Sequence, residues 1–113
     1  NRAPYAAAKW GIIGLMKTLA MEWGPEGVRV NAICPGAVEG PRMQGVMERE
    51  AAAKSTDVQH IYDGYASGTS MRSLVTAEDI ANMAVFLCSI GARLVSGQVI
   101  AVDGHTENPD PKV

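Results

Sequence analysis

At 113 residues the chain is no more than one domain. Its 47% hydrophobic and 19% charged residues read as an ordinary soluble globular sequence, which excludes a disordered one. A formal net charge of -2 offers nothing to nucleic acid or an acidic membrane as partner, and no apolar run is long enough to span a bilayer.

The first residue is Asn1, with no initiator Met, a few positions before a helical stretch; the expectation is a start in mid-domain. Pro4 suits the first turn of a helix, because its missing N–H has no partner there anyway. The helix is predicted to run to Trp23 and to stop at Gly24-Pro25. Ala8, Ile12, Leu15 and Leu19 form an apolar stripe, and Ala7, Gly11, Gly14 and Thr18 form a stripe of small residues. Two glycines inside a helix each disfavour it by about 1 kcal/mol relative to Ala, so close packing on more than one side is the expected compensation. Trp10 and Trp23 are read as core or interface anchors.

After the turn at Pro25-Glu26-Gly27, Val28–Ile33 is rich in β-branched residues and is predicted to be a strand closed by Cys34-Pro35-Gly36. A loop is expected over 37–42 and a short helix over Met43–Lys54, with Glu48, Arg49, Glu50 and Lys54 on a solvated face. A second helix begins at Thr56, with Gln59 completing a capping box, and ends at Ser67-Gly68. Val58, Ile61, Tyr62 and Tyr65 share its apolar face. Thr76 caps a further helix with Glu78 and Asp79 in its first turn, a buried face of Ile80, Ala84 and Leu87, and Gly91 just past its end. Gly97 turns the chain into a strand over Gln98–Val102, closed by Asp103-Gly104. The tail, residues 107–113, is expected to be frayed. Strands separated by helices predict an α/β fold with a parallel sheet.

Tyr5 and Lys9 put a phenol and an ammonium four residues apart near a helix start, where they share one face. A free Tyr titrates near ~10, and a neighbouring cation favours its phenolate. Such a pair suits acid/base work on an alcohol or ketone oxygen. A Tyr and a Lys at this spacing also occur in many helices as plain surface residues, so the spacing alone assigns nothing.

The Tyr5-x-x-x-Lys9 motif opening a long helix, then Val28-Arg29-Val30-Asn31, Pro35-Gly36, Glu78-Asp79-Ile80-Ala81 with Phe86-Leu87, Ser96-Gly97-Gln98 and Val102-Asp103-Gly104, resembles the short-chain dehydrogenase/reductase family over essentially the whole chain. The resemblance implies residues 1–106 of a doubly wound parallel-sheet Rossmann fold, its C-terminal half, with the nucleotide-binding half absent. It implies an enzyme that interconverts a secondary alcohol and a ketone with NAD or NADP. Tyr5 would be the acid/base. Lys9 would hold the nicotinamide ribose and lower the tyrosine's pKa. Pro35, Gly36, Ala37 and Val38 would line the nicotinamide, Val38 through its backbone. Glycine at position 36 would let the backbone approach a flat ring closely. Residues 39–70 would be the substrate loop, where Met43, Met47, Ile61, Tyr62 and Tyr65 either line an apolar pocket or pack the loop onto the body. Where family members often carry a Thr that helps hold the cofactor, this chain has Gly40. The implied partners are a small alcohol or ketone and further copies of the chain, in the cytoplasm. The alternative is a non-catalytic remnant or incomplete fragment of such an enzyme, inactive alone.

Other signals are weaker. Gly11 to Thr18 ends like a phosphate-binding loop, but Met16 stands before Lys17 where a Gly is needed, and the stretch is helical. Asp103, His105 and Glu107 alternate near the end, and a polar turn is preferred there over a metal site. His60 is placed on a solvated helix face. Cys34 and Cys88 have no metal-type spacing and are read as buried free thiols of a cytoplasmic protein rather than a disulfide.

Overall fold

The computed structural model describes residues 2–106. Helix α1 spans Ala3–Trp23 with Pro4 in its first turn, and a 3-10 turn, Gly24–Glu26, follows. Strand β1 is Ala32–Pro35, α2 is Pro41–Ala53, α3 is Val58–Ser67, α4 is Ala77–Leu87 and β2 is Val99–Val102. A second 3-10 turn, Ile90–Ala92, links α4 toward β2 and contains Gly91. The two strands pair with each other. The Ala32 N–H donates to Gln98 O and the Gly36 N–H to Val102 O, so the register advances in one direction on both strands and the pair is parallel. The chain divides into two compact units, Asn1–Ile33 with Ala84–Ile100, and Cys34–Met83 with Ala101–Val113.

In the first unit, β1 starts later than the β-branched run suggests. The residues before it are held by side chains rather than by a ladder. The Val30 N–H donates to Ser96 Oγ, and Asn31 spans the turn before β2, donating from Nδ2 to Val95 O at 2.8 Å and accepting the Gln98 N–H at 3.1 Å. The Gly97 N–H closes the arrangement on Val30 O at 2.7 Å, with Gly97 at φ +72°. Pro35 belongs to β1 because alternate residues, Ala32 and Gly36, donate to β2; the position of Pro35 would point a donor the other way, so its missing N–H breaks no ladder bond.

The packed side of α1 is also not the expected stripe. Met16 is its one buried residue among those described, with Ile13, Leu19 and Ala20 half-buried, while Ile12 and Leu15 are exposed. Lys17 reaches Gly97 O at 2.9 Å, and Ala20 lies against Gly97. A Cβ built on Gly11 or Gly14 meets nothing, so the expected close approach to the small-residue stripe is not made among the described residues. Trp10 and Trp23 are exposed rather than core. Cys34 and Cys88 are both free thiols; Cys34 is half-buried, but Cys88 is exposed after the end of α4, not buried.

The second unit is built on the α2–α3 hairpin. Met47, Ala51 and Ile61 form its core, flanked by Met43, Val58, Tyr62 and Tyr65, so these residues chiefly pack the hairpin. Helix α2 begins at Pro41, two residues before the expected start, because Pro fits its first turn. The cap of α3 is Asp57, not Thr56: its Oδ1 accepts the His60 N–H at 2.7 Å. Glu50 is not simply solvated. It accepts from Tyr65 Oη at 3.0 Å and pairs with Lys54 at 2.7 Å, which holds its carboxyl below the usual range. The Thr76 cap on α4 is as expected, and reciprocal. The Asp79 N–H donates to Thr76 Oγ1 and the Thr76 N–H donates to Asp79 Oδ2. The expected tail lies outside the described residues. No helix among them is long and apolar enough to cross a membrane.

Candidate active-site residues

Tyr5 occupies the third position of α1, and Lys9 follows one turn later. The helix brings the two together as the spacing requires: Lys9 Nζ stands 5.5 Å from the centre of the Tyr5 ring, over its face. This contact uses the ring quadrupole as well as the positive charge. Tyr5 is 62% exposed.

Pro35, Gly36, Ala37 and Val38 leave the carboxyl end of β1 in the other unit. Gly36 is required there, for a reason the sequence did not disclose. A Cβ at Gly36 would come 2.8 Å from Asp103 Cβ and 2.9 Å from Asp103 Cα. The absent side chain makes room for the turn after β2, before any ligand is considered. Asp103 is tied into that turn by accepting the His105 N–H at 2.9 Å, which is also what the carboxylate of the alternating acidic pattern does.

Val38 bridges Val75 in parallel. The Val75 N–H donates to Ala37 O at 2.9 Å and the Glu39 N–H donates to Val75 O at 2.7 Å. In a parallel bridge this leaves the N–H and C=O of Val38 on the opposite edge, a donor and an acceptor side by side. Gly40, the N-cap of α2, has φ +152°, where any side chain is strained.

Two further features were not visible from the sequence motifs. Asn31 belongs to a recognisable motif, but its role in fixing the turn before β2 needs the partners that lie 64 and 67 residues away. Tyr62 Oη donates to Glu39 Oε1 at 2.6 Å, and the carboxylate beside it pushes the Tyr62 phenol above its ordinary range. No spacing rule links residues 39 and 62.

Residues 1–105 match the family model described as enoyl-(acyl carrier protein) reductase. The monensin polyketide synthase putative ketoacyl reductase of Streptomyces virginiae is 36% identical over 94% of this chain and 41% of its own length. The D-beta-hydroxybutyrate dehydrogenase of Rhizobium meliloti is 35% identical over 91% of this chain and 40% of its own. Among solved structures, the actinorhodin polyketide ketoreductase with NADPH is 32% identical at a TM-score of 0.82, covering 94% of this chain and 41% of that one. A 4-hydroxyisoleucine dehydrogenase is complexed with NADH, at 28% identity and a TM-score of 0.66 over 91% of this chain and 37% of that one. The chain thus spans about two fifths of the length of the proteins it matches. With the matched model running through both units, the chain belongs to the short-chain dehydrogenase/reductase family.

Proposed function

We propose that this chain is the C-terminal, catalytic part of an NAD(P)-dependent oxidoreductase that interconverts a secondary alcohol and a ketone. The observation that carries the reading is the Lys9 ammonium over the Tyr5 ring at the start of α1. The family's other members support the cofactor class, since solved relatives hold NADPH or NADH. Tyr5 gives its hydroxyl proton to the carbonyl oxygen in reduction and takes the alcohol proton in oxidation. Lys9 keeps a positive charge over the Tyr5 ring and presents donors for the hydroxyls of the nicotinamide ribose. The Val38 peptide fits the carboxamide, because its N–H and C=O face away from Val75. Pro35, Gly36 and Ala37 carry that peptide out from the end of β1. The nucleotide, when bound, supplies or takes the hydride.

Residues 39–70 form the substrate loop of this reading. A second reading, in which the chain alone is catalytically silent, is supported by its matching only two fifths of its relatives' length. Tyr5→Phe in the full protein tests the first. Turnover is expected to fall by at least about a hundredfold, while nucleotide binding, followed by protein fluorescence, is largely kept. An unchanged rate would remove Tyr5 from the acid/base role.

A further inference from the structure

We propose that the groove over α2, headed by Glu39 and Tyr62, selects substrates that bring a hydrogen-bond donor, a hydroxyl or an ammonium, and turns away anionic ones. The inference rests on the oxidoreductase reading and names the substrate class of that site. The groove holds about 420 Å³ and is lined by Glu39, Gly40, Pro41, Gln44, Met47 and Tyr62. Its size suits a small organic molecule. Met47 and Pro41 supply apolar surface, and no Lys, Arg or His lines it.

What the lining side chains offer a ligand is almost all acceptor. The Tyr62 hydroxyl spends its hydrogen on Glu39 Oε1, so what its oxygen can still offer a ligand is an acceptor. The same hydrogen bond keeps the phenol protonated. Glu39 Oε2 takes no hydrogen bond among the described residues, and no cation pairs with Glu39 there. Gln44 directs Nε2 to Glu48 Oε1 at 3.1 Å, which leaves its side-chain carbonyl as an acceptor and one amide hydrogen as the single donor of the lining side chains. A ligand that brings donors satisfies these oxygens. A carboxylate or phosphate meets a like charge and leaves them unpaired, and it is disfavoured on both counts.

The groove also starts beside the residue assigned to the carboxamide. Glu39 follows Val38 directly, so its Cα stands about 3.8 Å from that of the residue assigned to the carboxamide. A ketone placed against the nicotinamide would carry its substituent into reach of Glu39.

Three methyl ketones that differ in one group test this: aminoacetone, hydroxyacetone and acetoacetate, with the full protein and NADPH or NADH. We expect kcat/KM for the first two to exceed that for acetoacetate by about tenfold or more. Glu39→Gln keeps an acceptor for Tyr62 but removes the charge, and it should bring the three within about threefold of one another. An unchanged ratio in Glu39→Gln would overturn the proposal and leave Glu39 as a tether for α3. A second readout needs no turnover. Without nucleotide, the amide NMR signals of Glu39, Gly40 and Gln44 should move with aminoacetone and hydroxyacetone and stay still with acetoacetate. Equal movement with all three, or none with any, would overturn it. If no ketone is reduced, the oxidoreductase reading falls, while the titration still decides what the groove accepts.

Discussion

At the scale of single residues, two glycines of this chain behave in opposite ways, and the contrast separates a conformational demand from an empty space. Gly36 has Asp103 where its Cβ would be, at 2.8 Å, and the near atoms include backbone that cannot swing aside. Gly14 lies inside α1 with nothing near. Gly36→Ala is therefore expected to destabilise by about 1–3 kcal/mol through overpacking. Gly14→Ala should stabilise the chain by up to about 1 kcal/mol, because Ala is the better helix former. Urea midpoints of the two variants against the parent check both signs. A destabilising Gly14→Ala would mean that α1 is covered by another surface in solution, and a neutral Gly36→Ala would mean that the Asp103 turn yields. The sequence marked both residues without telling them apart. It read Gly36 for the approach of a ring and Gly14 for the approach of a helix, whereas the partner of Gly36 is 67 residues further on and Gly14 has none among the described residues.

At the scale of elements, the start of α4 shows how local chemistry fixes a helix and how pH should loosen it. Thr76 and Asp79 exchange hydrogen bonds, the Thr76 N–H to the carboxylate and the Asp79 N–H to the hydroxyl. The carboxyl of Asp79 is held below its ordinary value of 3.8, first by the backbone N–H of Thr76 and then by its hydroxyl. A carboxyl with a depressed folded-state pKa adds stability that is complete above the unfolded value and is lost as pH falls through the folded one. The helix start should therefore weaken below about pH 4, and Asp79→Asn should flatten this acid limb. Hydrogen exchange of the amides at 77–80 as a function of pH measures it directly; identical acid profiles for the parent and Asp79→Asn would refute the assignment. The Thr76 cap was legible in the sequence because it is local, within four consecutive residues, whereas the return bond from Asp79 was not read. Of the expected buried face Ile80, Ala84 and Leu87, only Leu87 is buried. The α2–α3 hairpin was legible for the same reason, since Ile61 and its helical neighbours carry the core. The bounds of β1 were not. β-branched residues at Val28 and Val30 suggested a ladder, but Val30 finds Ser96 Oγ and Gly97 N–H, and Asn31 finds Val95 and Gln98. Such partners are distant in sequence, and β propensity is a statement about surroundings rather than backbone. The Glu39–Tyr62 bond is hidden in the same way, whereas Tyr5 and Lys9 are one helical turn apart and were found at once.

At the scale of the whole molecule, the family assignment was legible because several short motifs stood in order, and not because any one was decisive. What those motifs did not convey is how little of the chain's apolar surface is enclosed. Ile90 is 84% exposed, Leu94 81% and Val85 70%, all on the segment from the end of α4 to β2, and Trp10, Ile12, Leu15 and Met21 are exposed along α1. Apolar side chains scattered singly are ordinary on a protein surface, but runs of large ones along one helix or one segment mark surfaces that take a partner. The sheet adds to this. It consists of two short strands, each with one edge that pairs with no other strand of the described chain, and unpaired edges are templates for association. A chain of this kind, studied as these 113 residues alone, is expected to self-associate. Light scattering during gel filtration should give a mass above 11.9 kDa that rises with concentration. Trp10→Glu together with Leu94→Glu should lower it by placing charge within the exposed apolar runs. A single species at the monomer mass that melts cooperatively would show instead that the enclosed residues suffice for an independent fold, and that the apolar runs on α1 and after α4 need no cover.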